Sequence, residues 1–282
     1  TDGTILDWGS TNSLAANPET ISNILHGAAM NGGSAVLNAD GTVTAWGNSG
    51  LANVPADLTN VVAIAQGPTA TFCMALKSDG HVVVWGNLSS VTNVPSTATN
   101  IVSIAAGELH CLALKSDGTL VTWGDNSSGQ RTVPAAQLYA TTNRVVAIAA
   151  GAFNSTALRS DGTVFCWGSN SSGQTNVPPT AKGIVAIAAG FAHNLALRTN
   201  GTVLAWGRNL SGQTNVPPNL SNVVAIAAGA FHSVAMVGNG PPRAALATDS
   251  TLSSNAFSLS IPSQCGRIFI LDYKNSLADT NW

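Results

Sequence analysis

Short apolar runs recur along the chain, and each is bounded by turn residues. In one unit, Val185-Ala186-Ile187-Ala188-Ala189-Gly190 is a run of small and β-branched residues that predicts a strand. Asn194 to Leu197 predicts a second strand, Asn200-Gly201 turns the chain, and Thr202 to Trp206 returns it. Asn-Gly or Asp-Gly between two such runs predicts a type I′ hairpin, with φ > 0 at both central residues. The segment Asn209 to Pro218 carries turn chemistry and at most a short, proline-limited edge. The unit therefore holds three or four strands, and no helical periodicity is visible.

The same pattern returns six times. Trp-Gly pairs stand at Trp8, Trp46, Trp85, Trp123, Trp167 and Trp206, with spacings of 38, 39, 38, 44 and 39 residues. About six residues before each lies a turn: Asp2-Gly3, Asp40-Gly41, Asp79-Gly80, Asp117-Gly118, Asp161-Gly162 and Asn200-Gly201. A further apolar run ends in Gly27, Gly67, Gly107, Gly151, Gly190 and Gly229. A three-stranded unit of about 40 residues cannot bury its own apolar face, so neighbouring units must stack. Radial stacking gives an all-β fold, a β-propeller of six blades over residues 1–240. The chain opens in mid-unit with Asp2 to Gly9, and the last repeat stops in mid-unit near Asn239-Gly240. Joining these fragments in one blade closes the ring and removes two exposed sheet edges.

Position by position, the units resemble the regulator of chromosome condensation repeat family. The carrying residues are Ile-Ala-Ala-Gly-x-x-His at Ile104 to His110 and Ile226 to His232, followed by Ala-Leu-Lys/Arg-Ser-Asp-Gly-Thr at Ala113 and Ala157, then Trp-Gly-x-Asn. Gly-Gln-Thr-x-Val-Pro at Gly173 to Pro178 and Gly212 to Pro217 is similar to a bacterial secreted branch that includes a beta-lactamase inhibitor protein. The resemblance implies seven blades where the register counts six. Either the ring is six-bladed, or residues 241–282 or a neighbouring chain add to it. It also implies an extracellular or cell-surface location and a partner face built from residues two past the repeat glycine. That register holds Leu109, Phe153 and Phe231, against Ala29, Thr69 and Ala192 elsewhere, with Phe191 displaced by one.

Composition narrows the chemistry. Charged residues make up 9% of the 282, and hydrophobic residues 45%, whereas an average domain is roughly a quarter charged. Disorder is excluded on hydrophobicity. Eleven Lys+Arg against thirteen Asp+Glu, with no basic cluster, speak against nucleic acid as a partner. No apolar run approaches the roughly 20 residues that cross a bilayer, so membrane insertion is not expected. The chain begins at Thr1 without Met, as a processed product would. Five acids, Asp2, Asp40, Asp79, Asp117 and Asp161, are hairpin residues expected to cap their own turns, and Lys77, Lys115, Arg159 and Arg198 form one solvated register.

No catalytic or metal-binding constellation emerges, and no cofactor is implied. His110, His193 and His232 share a register, which places them around an axis rather than on one ion. Cys73 and Cys111 also share a register in successive blades, where a disulfide is geometrically open, while Cys166 lies beside Trp167 in a strand. Gly-x-Ser-x-Gly and Cys-x-x-Cys are missing from the chain. Asn87, Asn126, Asn154, Asn170, Asn209 and Asn219 fit the N-x-Ser/Thr pattern, as this composition makes unavoidable.

The remaining features concern surfaces. Ala135 to Asn143, with Tyr139, lengthens one unit and should project at the rim. Gly240-Pro241-Pro242-Arg243 reads as a linker. Beyond it, residues 241–282 form a tail with two alternating segments, carrying Phe257, Leu259 and Ile261, then Ile268, Ile270 and Tyr273. The tail either packs on its own propeller or adds a strand to another copy. The expectation is a non-enzymatic, extracellular binding or structural propeller, whose partner is another protein or copies of itself through the tail. The alternatives are an inhibitor of a secreted enzyme and, more remotely, a carbohydrate-binding protein.

Overall fold

Each apolar run becomes a strand, and each repeat becomes one antiparallel sheet. The structure, a computed structural model, describes residues 24–30, 33–47, 49–135, 143–238 and 240. Blade 1 holds β1 (Ile24–Met30), β2 (Gly33–Asn38) and β3 (Val43–Gly47). Blade 2 holds β4 (Val61–Ala65), β5 (Phe72–Lys77) and β6 (Val82–Gly86), and blade 3 holds β7 (Ile101–Ala106), β8 (His110–Lys115) and β9 (Leu120–Gly124). Blade 4 holds β10 (Val145–Ala150), β11 (Asn154–Arg159) and β12 (Val164–Gly168), and blade 5 holds β13 (Ile184–Ala189), β14 (His193–Arg198) and β15 (Val203–Gly207). Blade 6 contributes β16 (Val223–Ala228) and β17 (Ser233–Val237). Strand order within every sheet follows the sequence. The architecture is an all-β propeller. The N-terminal segment expected to complete blade 6, Tyr139, and the whole tail lie outside the described residues.

The segments that follow β9, β12 and β15 form turns rather than a fourth strand. In each, an asparagine closes the loop on itself. Asn209 Oδ1 accepts from Thr214 N at 2.9 Å, and Asn209 Nδ2 donates to Asn215 Oδ1 at 2.7 Å. Asn126 and Asn170 make the equivalent bonds, which explains the Asn of Trp-Gly-x-Asn. After β3 and β6 the segment instead contains four-residue helices, α1 (Ser49–Ala52) and α2 (Ser89–Thr92). A single turn of helix is too short to show a periodic pattern in sequence.

Hydrophobic clusters form between blades, not within them. Met74, Leu76 and Val82 of blade 2 pack with Ala106, Ala113 and Trp123 of blade 3. The indole N–H groups add polar staples: Trp85 Nε1 donates to Leu51 O at 3.0 Å, Trp123 Nε1 to Val91 O at 2.7 Å, and Trp206 Nε1 to Gln174 O at 3.0 Å. Each of these tryptophans thus ties its blade to the segment preceding it. Every inner strand also carries a β-bulge at its second residue, from Leu25 and Val62 to Val185 and Val224, which raises the local twist.

Two expectations are corrected in detail. In the five described Asp-Gly or Asn-Gly hairpins only the glycine has φ > 0, from 75° at Gly201 to 87° at Gly118. Gly80 N donates to Lys77 O at 2.9 Å, and Lys77 N donates to His81 O at 2.9 Å. This is a type I turn closed by a glycine bulge, not type I′. The acid does cap the turn as expected: Asp117 Oδ1 accepts from Thr119 N at 2.9 Å and from Thr119 Oγ1 at 2.7 Å. Second, Gly27 is not the blade 1 counterpart of Gly67. Gly27 pairs with Val36 as Ile64 pairs with Ala75, which puts Met30 in the glycine register. The disulfide left open between Cys73 and Cys111 is not formed: both are free and buried in separate clusters, and Cys166 is free as well.

Candidate protein-binding face

The loops joining inner and middle strands crowd around the axis. A side chain on Gly107 would place its Cβ 2.2 Å from His110 Cε1 and 2.6 Å from the Gly151 carbonyl of the next blade. Gly151 meets Gly190 O, and Gly190 meets Gly229 O, with the same geometry. Only glycine permits this approach. The following residues bond from blade to blade: Glu108 N donates to Ala152 O, Ala152 N to Phe191 O, and Phe191 N to Ala230 O, at 3.0–3.2 Å.

The histidine register supports that ring. His110 and His193 are fully buried. Ser155 Oγ donates to Gln130 O at 2.8 Å, so it accepts from His110 Nε2–H at 2.9 Å across the blade boundary. Ser233 Oγ likewise donates to Gln213 O at 2.7 Å and accepts from His193 Nε2–H at 3.1 Å. In blade 4 Asn154 takes the same place and donates to Asn194 Oδ1 at 3.4 Å. Burial pushes His110 down to about 4, against the opposing pull of the Asp125 carboxylate, and pushes His193 down to about 4 as well. Both rings are neutral at pH 7. Burial also raises the Cys73 and Cys166 thiols to about 12. Among the described residues no three His, Cys, Asp or Glu side chains converge on a metal position.

Above this rigid ring lie the aromatic residues. Phe153 and Phe191 meet edge-to-face with centroids 5.9 Å apart, and Phe191 and Phe231 are 5.6 Å apart and tilted. Three rings from three successive blades therefore form one ladder. The displacement of Phe191 is what allows it. Ala192, which holds the expected register, is buried, whereas position 191 is half-exposed between its neighbours. Leu109 occupies the preceding blade in the Phe153 register, half-buried, and its carbonyl accepts from Asp125 N at 2.7 Å. Thr69 falls in a longer blade 2 loop. There the backbone of Thr71 takes the register, since its carbonyl faces Gly86 as that of Phe153 faces Gly168.

Two residues of the segment after β15 carry no repeat signature in the sequence. Arg208 lies over the Phe231 ring at 5.4 Å, a cation–π contact. It fills the x of Trp-Gly-x-Asn, where blades 3 and 4 carry Asp125 and Ser169. Leu210 is 83% exposed at a position where the same blades carry Ser127 and Ser171. Their only signal is departure from the repeat. Asp125 is held below the usual carboxylate range first by the Ser127 hydroxyl, and it also accepts from Gln130 Nε2 at 2.7 Å. The face thus runs from acidic Glu108 and Asp125, through Leu109 and the phenylalanines, to basic Arg208.

The geometry defines a repeat-built propeller with an aromatic axial face. By sequence, residues 101–130, 145–174 and 184–213 match the Regulator of chromosome condensation (RCC1) repeat. These stretches are blades 3 to 5, which carry Leu109, Phe153, Phe191 and Arg208. No curated protein matches the chain by sequence. Among solved structures, the fold is similar to the CRINKLY WD40 ectodomain of the Arabidopsis thaliana receptor kinase ACR4, with a TM-score of 0.61 and 23% identity over 79% of this chain and 81% of that one. It is also similar to Prp20p of Saccharomyces cerevisiae, with a TM-score of 0.62 and 22% identity over 75% and 68% of the two chains. Human WBSCR16 gives a TM-score of 0.59 and 19% identity over 77% and 72%. At these identities the likeness is one of fold: an RCC1-like β-propeller.

Proposed function

We propose that this chain is a non-enzymatic protein-binding propeller that acts outside the cell and presents the ladder face to a protein partner. The observation that carries the reading is the contact series Phe153–Phe191–Phe231 with Arg208 stacked at its end. Aromatic and arginine side chains held on a rigid backbone are the usual centres of binding energy in protein interfaces. Phe191 is rigid because its backbone N–H and carbonyl both bond to neighbouring blades. His110, His193, Ser155, Ser233 and Asp117 are engaged in scaffold hydrogen bonds. The complementary partner surface is apolar, with a carboxylate towards Arg208 and a cation towards Glu108 and Asp125. Prp20p, of the same fold, is described with binding properties to Gsp1p and histones. The extracellular setting rests on the likeness of the Gly-Gln-Thr-x-Val-Pro segments to a secreted branch.

The test is affinity capture with the wild-type chain and the Phe153→Ala/Phe231→Ala double variant, read by quantitative mass spectrometry. A partner retained by the first should bind the second at least about 30-fold more weakly. Equal retention of every bound protein refutes the reading. The same ladder favours inhibition of a secreted enzyme as a second reading. Loss of beta-lactamase activity on adding the chain, reversed in the double variant, would establish it. Self-assembly through Phe257, Leu259, Ile261, Ile268, Ile270 and Tyr273 is tested by size-exclusion chromatography of the whole chain against residues 1–240. Equal elution as monomers ends that proposal.

A further inference from the structure

The hairpins lie at the opposite end of the strands from the axial glycines. There each inner strand begins beside the end of its middle strand, as Val145 pairs with Arg159 and Ile184 with Arg198. Charge is unevenly spread over this hairpin face. Across blades 1 to 3 it carries Asp40, Asp79, Asp117 and Asp57, which holds the position of Thr180, against Lys77 and Lys115. That is a net −2 among the described residues, with the acids exposed and the lysines half-buried. Across blades 4 and 5 it carries Arg144, Arg159, Lys182 and Arg198 against Asp161, a net +3 among the described residues. These four cations are scattered in sequence but adjoin in space. Ser160 N donates to Arg144 O at 3.0 Å, and a Cβ on Gly162 would lie 3.3 Å from the Cα of Gly183, the neighbour of Lys182. The Arg198 guanidinium donates to Thr180 O at 2.7 Å, on the same turn as Lys182.

Three departures from the repeat produce the basic half. Arg144 stands where blades 2, 3 and 6 have Asn60, Asn100 and Asn222, whose φ of 55–58° serves a left-handed turn. Its backbone still makes the repeat bond, since Ser116 N donates to Asn100 O at 3.0 Å as Ser160 N does to Arg144 O. Lys182 stands where Thr59, Thr99, Asn143 and Ser221 occur, and Asn200 replaces the hairpin aspartate of blades 1 to 4. Asn200 Oδ1 accepts from Thr202 N at 3.1 Å and from Thr202 Oγ1 at 2.7 Å, as Asp117 Oδ1 does from Thr119. The exchange keeps the cap and removes only the charge. Asp161, the acid of this half, is occupied by neutral donors: Thr163 N and Oγ1 on Oδ1, and Asn143 Nδ2 on Oδ2. Among the described residues no carboxylate pairs with Arg144, Lys182 or Arg198.

We propose that this face pairs with the same face of a second copy about a two-fold axis lying between its halves, so that the basic half of each copy covers the acidic half of the other. An isologous contact sets one patch against itself, and a face with oppositely charged halves is complementary to itself under that rotation. The symmetry makes every pairing twice, which offsets the weakness of single exposed ion pairs. A net charge of −2 on the whole chain leaves little long-range repulsion between copies. The occupant is a second copy because the acid-rich surface that the basic half calls for lies on this same face. The aromatic ladder is at the other end of the strands and stays open, so the dimer does not rest on the ladder as a partner surface.

Sedimentation velocity on the full chain tests this. At about 0.05 M NaCl the sedimentation coefficient should rise with protein concentration from monomer to dimer, and at about 0.5 M the dissociation constant should be at least about tenfold higher. Arg144→Glu/Lys182→Glu makes both halves acidic. Asp57→Lys/Asp79→Asn/Asp117→Asn makes both basic and keeps the hairpin caps, as Asn200 does. Each variant alone should stay monomeric with the wild-type circular dichroism spectrum, and an equimolar mixture of the two should restore the dimer. A wild-type monomer at every concentration in low salt overturns the pairing, and so does a dimer that persists in both variants. A mixture that stays monomeric overturns the two-fold arrangement.

Discussion

Acidification should unfold this propeller through its buried histidines. His110 and His193 are fully buried, and burial holds each near 4 instead of the ordinary 6.5. The folded state therefore keeps both rings neutral between pH 6.5 and 4, while the unfolded chain takes up protons. Stability is then complete above about pH 6.5 and falls as pH drops towards 4. A tenfold difference in proton affinity between the two states is worth about 1.4 kcal/mol, so each ring contributes about 3 kcal/mol across that window, of which about 2 kcal/mol is gone by pH 5. The pair thus removes about 4 kcal/mol by pH 5, a large part of a typical 5–15 kcal/mol total. The assay is urea unfolding from pH 7.5 to 5, for wild type and for His110→Asn/His193→Asn. Asparagine is the replacement because Asn154 already fills this register. The variant should show a pH dependence flatter by about 4 kcal/mol over this range. His26, also pushed down to about 4 by burial, leaves a residual slope. Wild-type and variant curves running parallel within about 1 kcal/mol would refute neutral, desolvated rings at the axis.

Four further outcomes follow from the geometry. Gly107→Ala or Gly190→Ala drives a Cβ to within 2.2 Å of a histidine ring and should cost about 3 kcal/mol in chemical denaturation, whereas Gly129→Ala, with open space around it, should cost about 1 kcal/mol for its positive φ. Trp123→Phe strands the Val91 carbonyl, while Trp167 Nε1 has no hydrogen-bond partner among the described residues, so Trp123→Phe should lower stability by about 2 kcal/mol more than Trp167→Phe. Cys73 and Cys111 should resist iodoacetamide at pH 8 in the native state and react fully in denaturant; a disulfide-linked peptide joining them would contradict the free thiols. Phe191→Ala removes both ring contacts of the ladder while leaving the backbone links, so partner affinity should fall at least about 30-fold with the melting temperature within a few degrees of wild type.

The legible parts of the sequence are those that repeat with fixed spacing. Trp-Gly marks the third strand of a blade because the indole and the turn that follows it must recur at each blade boundary. The hairpin glycines stand where the pattern puts them, but the turn type differs: the Asp117 carboxylate reaches the Thr119 N–H, which favours a type I turn and leaves the positive φ to Gly118 alone. Gly27 misleads because Gly-Ala-Ala imitates the end of an apolar run. Only strand pairing, with Gly27 opposite Val36 as Ile64 is opposite Ala75, reveals that Met30 holds the glycine register. At the candidate site, Leu109, Phe153 and Phe231 are visible by register, but the ladder is not, because it depends on the buried Ala192 steering its aromatic neighbour to position 191.

Scaffold and site divide along that same line. Positions shared by most blades are consumed by architecture: hairpin Asp by its own turn, Trp by the preceding segment, the axial Gly by the carbonyl of the next blade, and His or Asn by a Ser or Asn across the boundary. None of these groups can meet a partner without loosening the ring. In the proposed reading recognition falls to residues not consumed in this way, and among these Phe191, Arg208 and Leu210 of blade 5 also break the repeat. Phe191 and Arg208 both contact Phe231, which leads into β17, the least covered middle strand described.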